Sequence, residues 1–181
     1  MSNEKVMFPG VKAGETFEVA GVEFVRFHDE NGMTAVMPCE SVFFSKFGDS
    51  ADFKESDVLK RLQKEFLPKV IEAIGEENVC SFKTDLTTLD GLKSYGELES
   101  KISLPTLDFY RKNVDIFDLH MTRGYLWLAT AWSAEPHWNT SLVLCVSPGG
   151  YFDYFDRCDD RVGGVRPILY FVSSIFGSFE E

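Results

Sequence analysis

The chain has no run of about 18 consecutive apolar residues, which excludes a hydrophobic membrane-spanning helix. Its amino terminus, MSNEKVMFPGVKAGETF, carries no basic patch followed by an apolar stretch, so no secretory signal is expected. A cytoplasmic location follows, with carriage on a virion as the other route outward. No cluster of Lys and Arg offsets the 29 acidic residues, and the net charge is −11. Nucleic-acid binding depends on neutralising phosphates and is therefore not expected, nor is membrane insertion. Cys39, Cys80, Cys145 and Cys158 stand far apart with no C-x-x-C pair, which argues against zinc knuckles and redox dithiols and favours buried thiols. His28, His120 and His137 match no metal-ligand spacing, and H-E-x-x-H, P-loop, G-x-G-x-x-G and G-x-S-x-G signatures are all absent. The residues thus point to no catalytic group, no metal and no cofactor.

What the chain does have is apolar mass. Of 181 residues, 44% are hydrophobic and 17 are Phe, enough for one domain with a real core. An N-terminal arm over 1–16, a single domain over 17–176 and a short tail over 177–181 are expected.

Residues 17–27, FEVAGVEFVRF, alternate apolar and polar, and 33–37, MTAVM, follow an Asn31-Gly32 turn signal, so a β-hairpin is expected there. Pro38 ends its second strand, and VFFSKFGDSADF reads as a loop with inward-facing phenylalanines. Ser56 is placed to cap a helix in which Val58, Leu59, Leu62, Phe66 and Leu67 recur at helical spacing. Pro68 begins a second short helix and Gly75 stops it. VCSF and KISL, around a polar connection, read as short strands, and Thr106 caps a helix through TLDFYRKN. YLWLATAW and Leu142–Val146 are expected as buried strands, the latter central. Ser147-Pro148-Gly149-Gly150 fits a type II turn with the next strand starting at Tyr151, and VRPILYFV is a last strand, bulged or at an edge at Pro167. The order predicts an α+β fold with one twisted antiparallel sheet, an N-terminal hairpin and two or more helices.

The stretch from Trp127 to Pro167 holds all three tryptophans and mixes aromatics with charges. Trp127 sits in an apolar run and belongs to the core, whereas Trp132 and Trp138 lie beside Ser133, Glu135, Pro136, His137 and Asn139. Tyr151, Phe152, Tyr154 and Phe155 alternate in blocks with Asp153, Asp156, Arg157, Asp159, Asp160 and Arg161. A displayed surface satisfies both groups, because exposed Trp and Tyr beside Arg are what binding hot spots are made from. The four aspartates lack a calcium-loop spacing and have Arg157 and Arg161 among them, so a self-paired charged face is the plainer reading.

Trp127-Leu128-Ala129-Thr130, the Gly149-Gly150 turn and Gly164-Val165-Arg166-Pro167 resemble the W-L-x…G…G-V-R-P signature of an uncharacterised family of bacterial and phage domains with a C-type-lectin-like fold. FKESDVLKRLQKEF and SLPTLDFYRK are similar to two upstream elements of that family and fall in the same order. The resemblance implies a lectin-like scaffold displaying Trp132, Glu135, His137, Trp138, Asn139 and Tyr151–Arg161 to a protein or glycan ligand. It also brings to mind variable proteins of diversity-generating retroelements, in which template adenines are mutated. Every residue from Tyr151 to Val162 can be encoded by a codon ending in C, which fits. Formylglycine-generating enzymes share the fold class, but Cys145 and Cys158 do not stand in their sequence context. Calcium lectins carry E-P-N and W-N-D motifs; Glu135-Pro136-His137 and Trp138-Asn139-Thr140 break both, so calcium-dependent sugar binding is not implied. A structural component of a phage particle and an enzyme using the Asp153–Asp160 carboxylates or Cys145 and Cys158 remain as other readings.

Overall fold

The computed structural model describes residues 6–120, 124–157 and 163–177. The fold is mixed α+β, with mostly antiparallel sheets and few helices. Where one sheet is expected from the sequence, the described residues form two five-stranded sheets and a two-stranded ribbon.

The first sheet is built on β1 (Thr16–Val19), β2 (Val22–Glu30) and β3 (Met33–Pro38). Asn31 and Gly32, at φ of 52° and 75°, make the expected turn between β2 and β3. The stretch 17–27 is not one strand, because Ala20 and Gly21 adopt the same left-handed pair at 53° and 74° and fold it into a hairpin of its own. β12 (Leu169–Val172) pairs with β3 on one side and with β5 (Val79–Cys80) on the other.

The second sheet has the order β10 (Phe152–Asp156), β9 (Leu142–Val146), β8 (Leu126–Ala131), β11 (Gly164–Val165) and β4 (Phe43–Phe44). β9 lies inside the sheet as expected, and β10 forms its edge. The terminal strand expected over 165–172 is broken at Arg166-Pro167, so β11 pairs in parallel with β8 while β12 joins the other sheet. Pro167 has no N–H to give to a ladder, and the crossing between sheets is where none is needed. Arg166 stitches this crossing: it is 1% exposed, its Nε donates to Pro38 O at 2.8 Å and its Nη1 to His120 O at 3.1 Å. Burial lowers its pKa to about 10, which leaves it cationic at neutral pH.

Ser56 Oγ accepts from Leu59 N at 3.0 Å and opens α1 (Asp57–Arg61), which runs through a π turn (Leu62–Phe66) into α2 (Leu67–Ile74). The segment is thus one continuous helix and not two. The wide turn falls just before Pro68, whose ring would clash with the carbonyl four residues back in a regular α-helix. Gly75, at φ of 90°, ends it. The ribbon pairs β6 (Phe82–Asp85) with β7 (Glu97–Ser100), so the second strand here is ELES and not KISL, of which only Ser103 makes a bridge, to Ile168. Thr106 caps α3 (Leu107–Lys112), and a further helix, α4 (Val114–Leu119), follows.

Two apolar clusters result. One joins Phe17, Phe24 and Phe171 of the first sheet to α1, α2 and Trp127. The other places Val25, Phe27 and Met37 against Tyr110, Phe117, Leu126, Leu128 and Leu144. The loop after β3 buries Phe47 and Phe53, as its composition implies, but leaves Phe44 60% exposed. Val6, Phe8 and Val11 of the arm pack on the first cluster, and Phe8 N donates to Ile175 O at 2.6 Å. Among the described residues, no helix is long and apolar enough to cross a membrane.

Candidate functional site

β9 and β10 are joined by a turn in which Gly150 N donates to Ser147 O at 2.9 Å. The positive φ falls on Gly150, at 81°, and not on Gly149, so the expected type II turn is replaced by a type I turn followed by a left-handed residue. From there β10 runs along the sheet edge, and its side chains alternate between faces. Phe152 and Tyr154 fall on the face carrying Leu144, with Asp156 following at the strand end.

On that face Trp132, just past β8, meets Tyr154 with ring centroids 4.5 Å apart and planes at 60°. The backbone N–H of Trp132 donates to Leu142 O at 2.9 Å, which fixes the start of the loop that follows. Phe152 packs edge-on to Tyr110 of α3 at 5.3 Å, and Tyr110 OH donates to Gly150 O at 3.1 Å, holding the hairpin tip against the helix. Leu107, Leu144 and Leu89 complete the walls of an apolar cleft of about 280 Å³, with Arg111 as the cation in its lining. Leu89, Leu107 and Arg111 also line a larger, more polar groove of about 820 Å³ between the 85–91 loop and α3, so the two spaces adjoin.

The loop beside the cleft is fastened by Asp90. Ser133 Oγ donates to Asp90 Oδ2 at 2.6 Å, Thr88 Oγ1 to Oδ1 at 2.5 Å, and Nδ1 of His137 lies 2.7 Å from Oδ2. These bonds, that from Ser133 foremost, hold the Asp90 carboxyl well below the usual carboxylate range. Leu89 N donates to Ala131 O at 2.9 Å and Ser94 Oγ to Glu135 O at 3.3 Å, so the 85–96 and 132–141 segments are tied along their length. The Glu135-Pro136 peptide is cis, and Asn139 has a φ of 64°. Asp90 and His137 have the look of acid–base machinery. However, both hydroxyls donate to the carboxylate and neither to the imidazole, so His137 activates neither Ser133 nor Thr88, and the bonds clamp the loop.

The residues proposed from sequence divide accordingly. Trp132, Phe152 and Tyr154 converge on the cleft, and Asp153 also lines it. Glu135, His137, Trp138 and Asn139 stand exposed on the adjoining loop, Trp138 at 89%, and Tyr151 is exposed beside the turn. Phe155 is turned to the other face, where it packs on Tyr125 at 5.0 Å, so it belongs to the frame and not to the display. Arg157 is also structural: its Nε donates to Asp49 O at 2.8 Å and its carbonyl accepts from Phe47 N and Gly48 N. Asp159, Asp160 and Arg161 lie outside the described residues. The suggested thiol chemistry meets an obstacle at Cys145, which is 1% exposed and whose thiol is pushed up to about 12 by burial; Cys158 lies outside the described residues. Cys39, Cys80 and Cys145 are free thiols. No group of three or more His, Cys, Asp or Glu side chains among the described residues is arranged to hold a metal ion.

Sequence reasoning missed Leu89, Asp90, Leu107 and Arg111. The Asp90-Gly91 pair marks a turn and Thr106 marks a helix start, but neither reveals that these segments flank the aromatics of β10. Comparison with protein-family models, curated protein sequences and solved structures finds no match to this chain.

Proposed function

We propose that the protein is a non-catalytic, receptor-type binding protein whose recognition surface is the aromatic cleft and the clamped loop beside it. The observation that carries this reading is the convergence of Trp132, Phe152 and Tyr154, all partly open to solvent, on one concave apolar space. Aromatic side chains left uncovered around a concavity are the usual mark of a place where another molecule completes the burial. A protein or a glycan is the ligand, with Trp138, Glu135 and Asn139 contacting it outside the cleft.

The proposal extends to a C-type-lectin-like scaffold with a variable face. Along β10 the exposed Phe152, Tyr154 and Asp156 alternate with the half-buried Asp153 and Phe155, and Tyr151 is exposed at the turn, a pattern that supports exchange of the outer side chains on a retained frame. A reverse-transcriptase gene beside a near-copy of the codons for residues 129–167, differing at adenines, is the genomic sign of that variability. Its absence removes the retroelement part and leaves the binding protein.

The direct test pans wild-type protein against glycan arrays and displayed peptide libraries, then measures selected ligands on Tyr154→Ala and Trp138→Ala. Loss of binding with an unchanged Tm supports the proposal. Variants that bind as wild type, or that unfold, place the site elsewhere.

A further inference from the structure

The cleft has a charge feature that its apolar walls do not require. Arg111, in the last turn of α3, lines both the cleft of about 280 Å³ and the adjoining polar groove. Its described partner is Asp108, at 3.6 Å, with side chains 60% and 78% exposed. Such an exposed pair is worth little and yields readily to a competing carboxylate. Asp153 is the acidic residue in the cleft lining, but it follows the strand alternation away from Phe152 and Tyr154, and its Oδ1 accepts from Tyr154 N at 2.9 Å. Asp90, next to Leu89, has three hydrogen-bond partners already. Arg111 is therefore the cation of the cleft lining, beside an Asp153 whose Oδ1 is already bonded to the backbone, although the chain as a whole carries −11.

We propose that the group received by the cleft is an apolar carboxylate: a hydrocarbon or aromatic body against Trp132 and Tyr154, with its carboxylate on the Arg111 guanidinium. This rests on the reading of the cleft as the binding site. A fork of N–H donors matches a carboxylate in shape as well as in charge. The volume suits roughly a dozen non-hydrogen atoms, about the size of phenylalanine. The same chemistry is presented by a free organic acid and by the last residue of a peptide, whose preceding residues would extend into the polar groove.

The test uses N-acetyl-L-phenylalanine and its primary amide, titrated into ¹⁵N-labelled protein while the Trp132 indole N–H and the Leu89 and Tyr154 amides are followed. The acid should bind about tenfold more tightly than the amide, and Arg111→Gln should bring the acid down to the amide without altering the amide. The Arg111 side chain is 60% exposed and its described ion pair is with the exposed Asp108, so the Tm of Arg111→Gln is recorded alongside. Equal binding of acid and amide, still mapped to the cleft, overturns the carboxylate assignment and leaves the cleft as the binding site. No shift at the cleft with either compound overturns both. Acetyl-Gly-Ser-Gly-Phe with a free carboxylate separates the sources: tighter binding with new shifts at Lys83 and Thr87 identifies a chain terminus, and affinity equal to N-acetylphenylalanine identifies a free acid.

Discussion

Nδ1 of His137 lies 2.7 Å from Oδ2 of Asp90, across 47 residues of sequence, and this contact closes the clamp that fixes the exposed loop beside the aromatic cleft. The same carboxylate takes hydroxyl hydrogens from Ser133 and Thr88. Replacing Asp90 by Ala leaves three donors without their acceptor. We expect a loss of about 1–2 kcal/mol, a Tm lower by a few degrees, and faster amide exchange over 132–141 than elsewhere. Unchanged exchange in that loop would show that the clamp does not hold it.

The pH dependence of the clamp has a definite sign. The folded-state pKa of Asp90 is depressed, by the Ser133 bond first and then those of Thr88 and His137, relative to about 3.9 in an unfolded chain. Its contribution is therefore complete above the unfolded value and is lost as pH falls through the folded value. The stability difference between wild type and Asp90→Asn should be constant above about pH 5 and shrink below about pH 4. A difference that grows on acidification contradicts the assignment.

Cys145 lies in the middle of β9 and its thiol is pushed up to about 12 by burial and, secondarily, by Asp153 across the strand pair. Cys39 is raised to about 11 by burial, with Glu23 adding to it. Thiolate is the reactive form, so both should resist iodoacetamide at pH 8 in native protein and be alkylated on unfolding. Peptide mass mapping decides this, and rapid native labelling of Cys145 would revive a thiol-based activity.

Gly163 packs so closely that a Cβ there would come within 1.7 Å of Trp127 Nε1 and 2.3 Å of Ser45 O. Trp127 Nε1 itself donates to Ser45 O at 2.9 Å, so the two obstacles are bound to each other. Gly163→Ala should cost about 3 kcal/mol and shift Trp127 emission to the red as the indole loses its partner. A variant as stable as wild type would mean that this contact relaxes freely.

Local signals carried much of the architecture. Asn31-Gly32, Ser56, Gly75 and Thr106 each act through a backbone conformation or hydrogen bond complete within a few residues, and each lies where its chemistry places it. The hairpin at Ala20-Gly21 has no local signature, because alanine seldom adopts the left-handed conformation and so gives no turn signal. The division of 165–172 between two sheets depends on partners far away, Leu126 for Gly164 and Val36 for Leu169, and no local pattern encodes it. The site divides in the same way. Trp132, Phe152 and Tyr154 are legible as aromatics in polar company, whereas Leu89, Asp90 and Arg111 look like ordinary loop and helix residues until the fold brings them alongside. Phe155 and Arg157 share the charged and aromatic pattern of their neighbours yet contact the frame, since an edge strand has one face to display and one to bury.

On the function proposed above, a ligand seats on the cleft walled by Leu89, Trp132, Leu144, Phe152 and Tyr154. The most direct measurement is the ¹H–¹⁵N and methyl chemical-shift map of the protein with a ligand selected from the glycan and peptide libraries. The largest perturbations should cluster on those five residues and on Trp138. A map centred on the other exposed apolar side chains, such as Phe44 or Leu119, with the cleft unmoved, would contradict it.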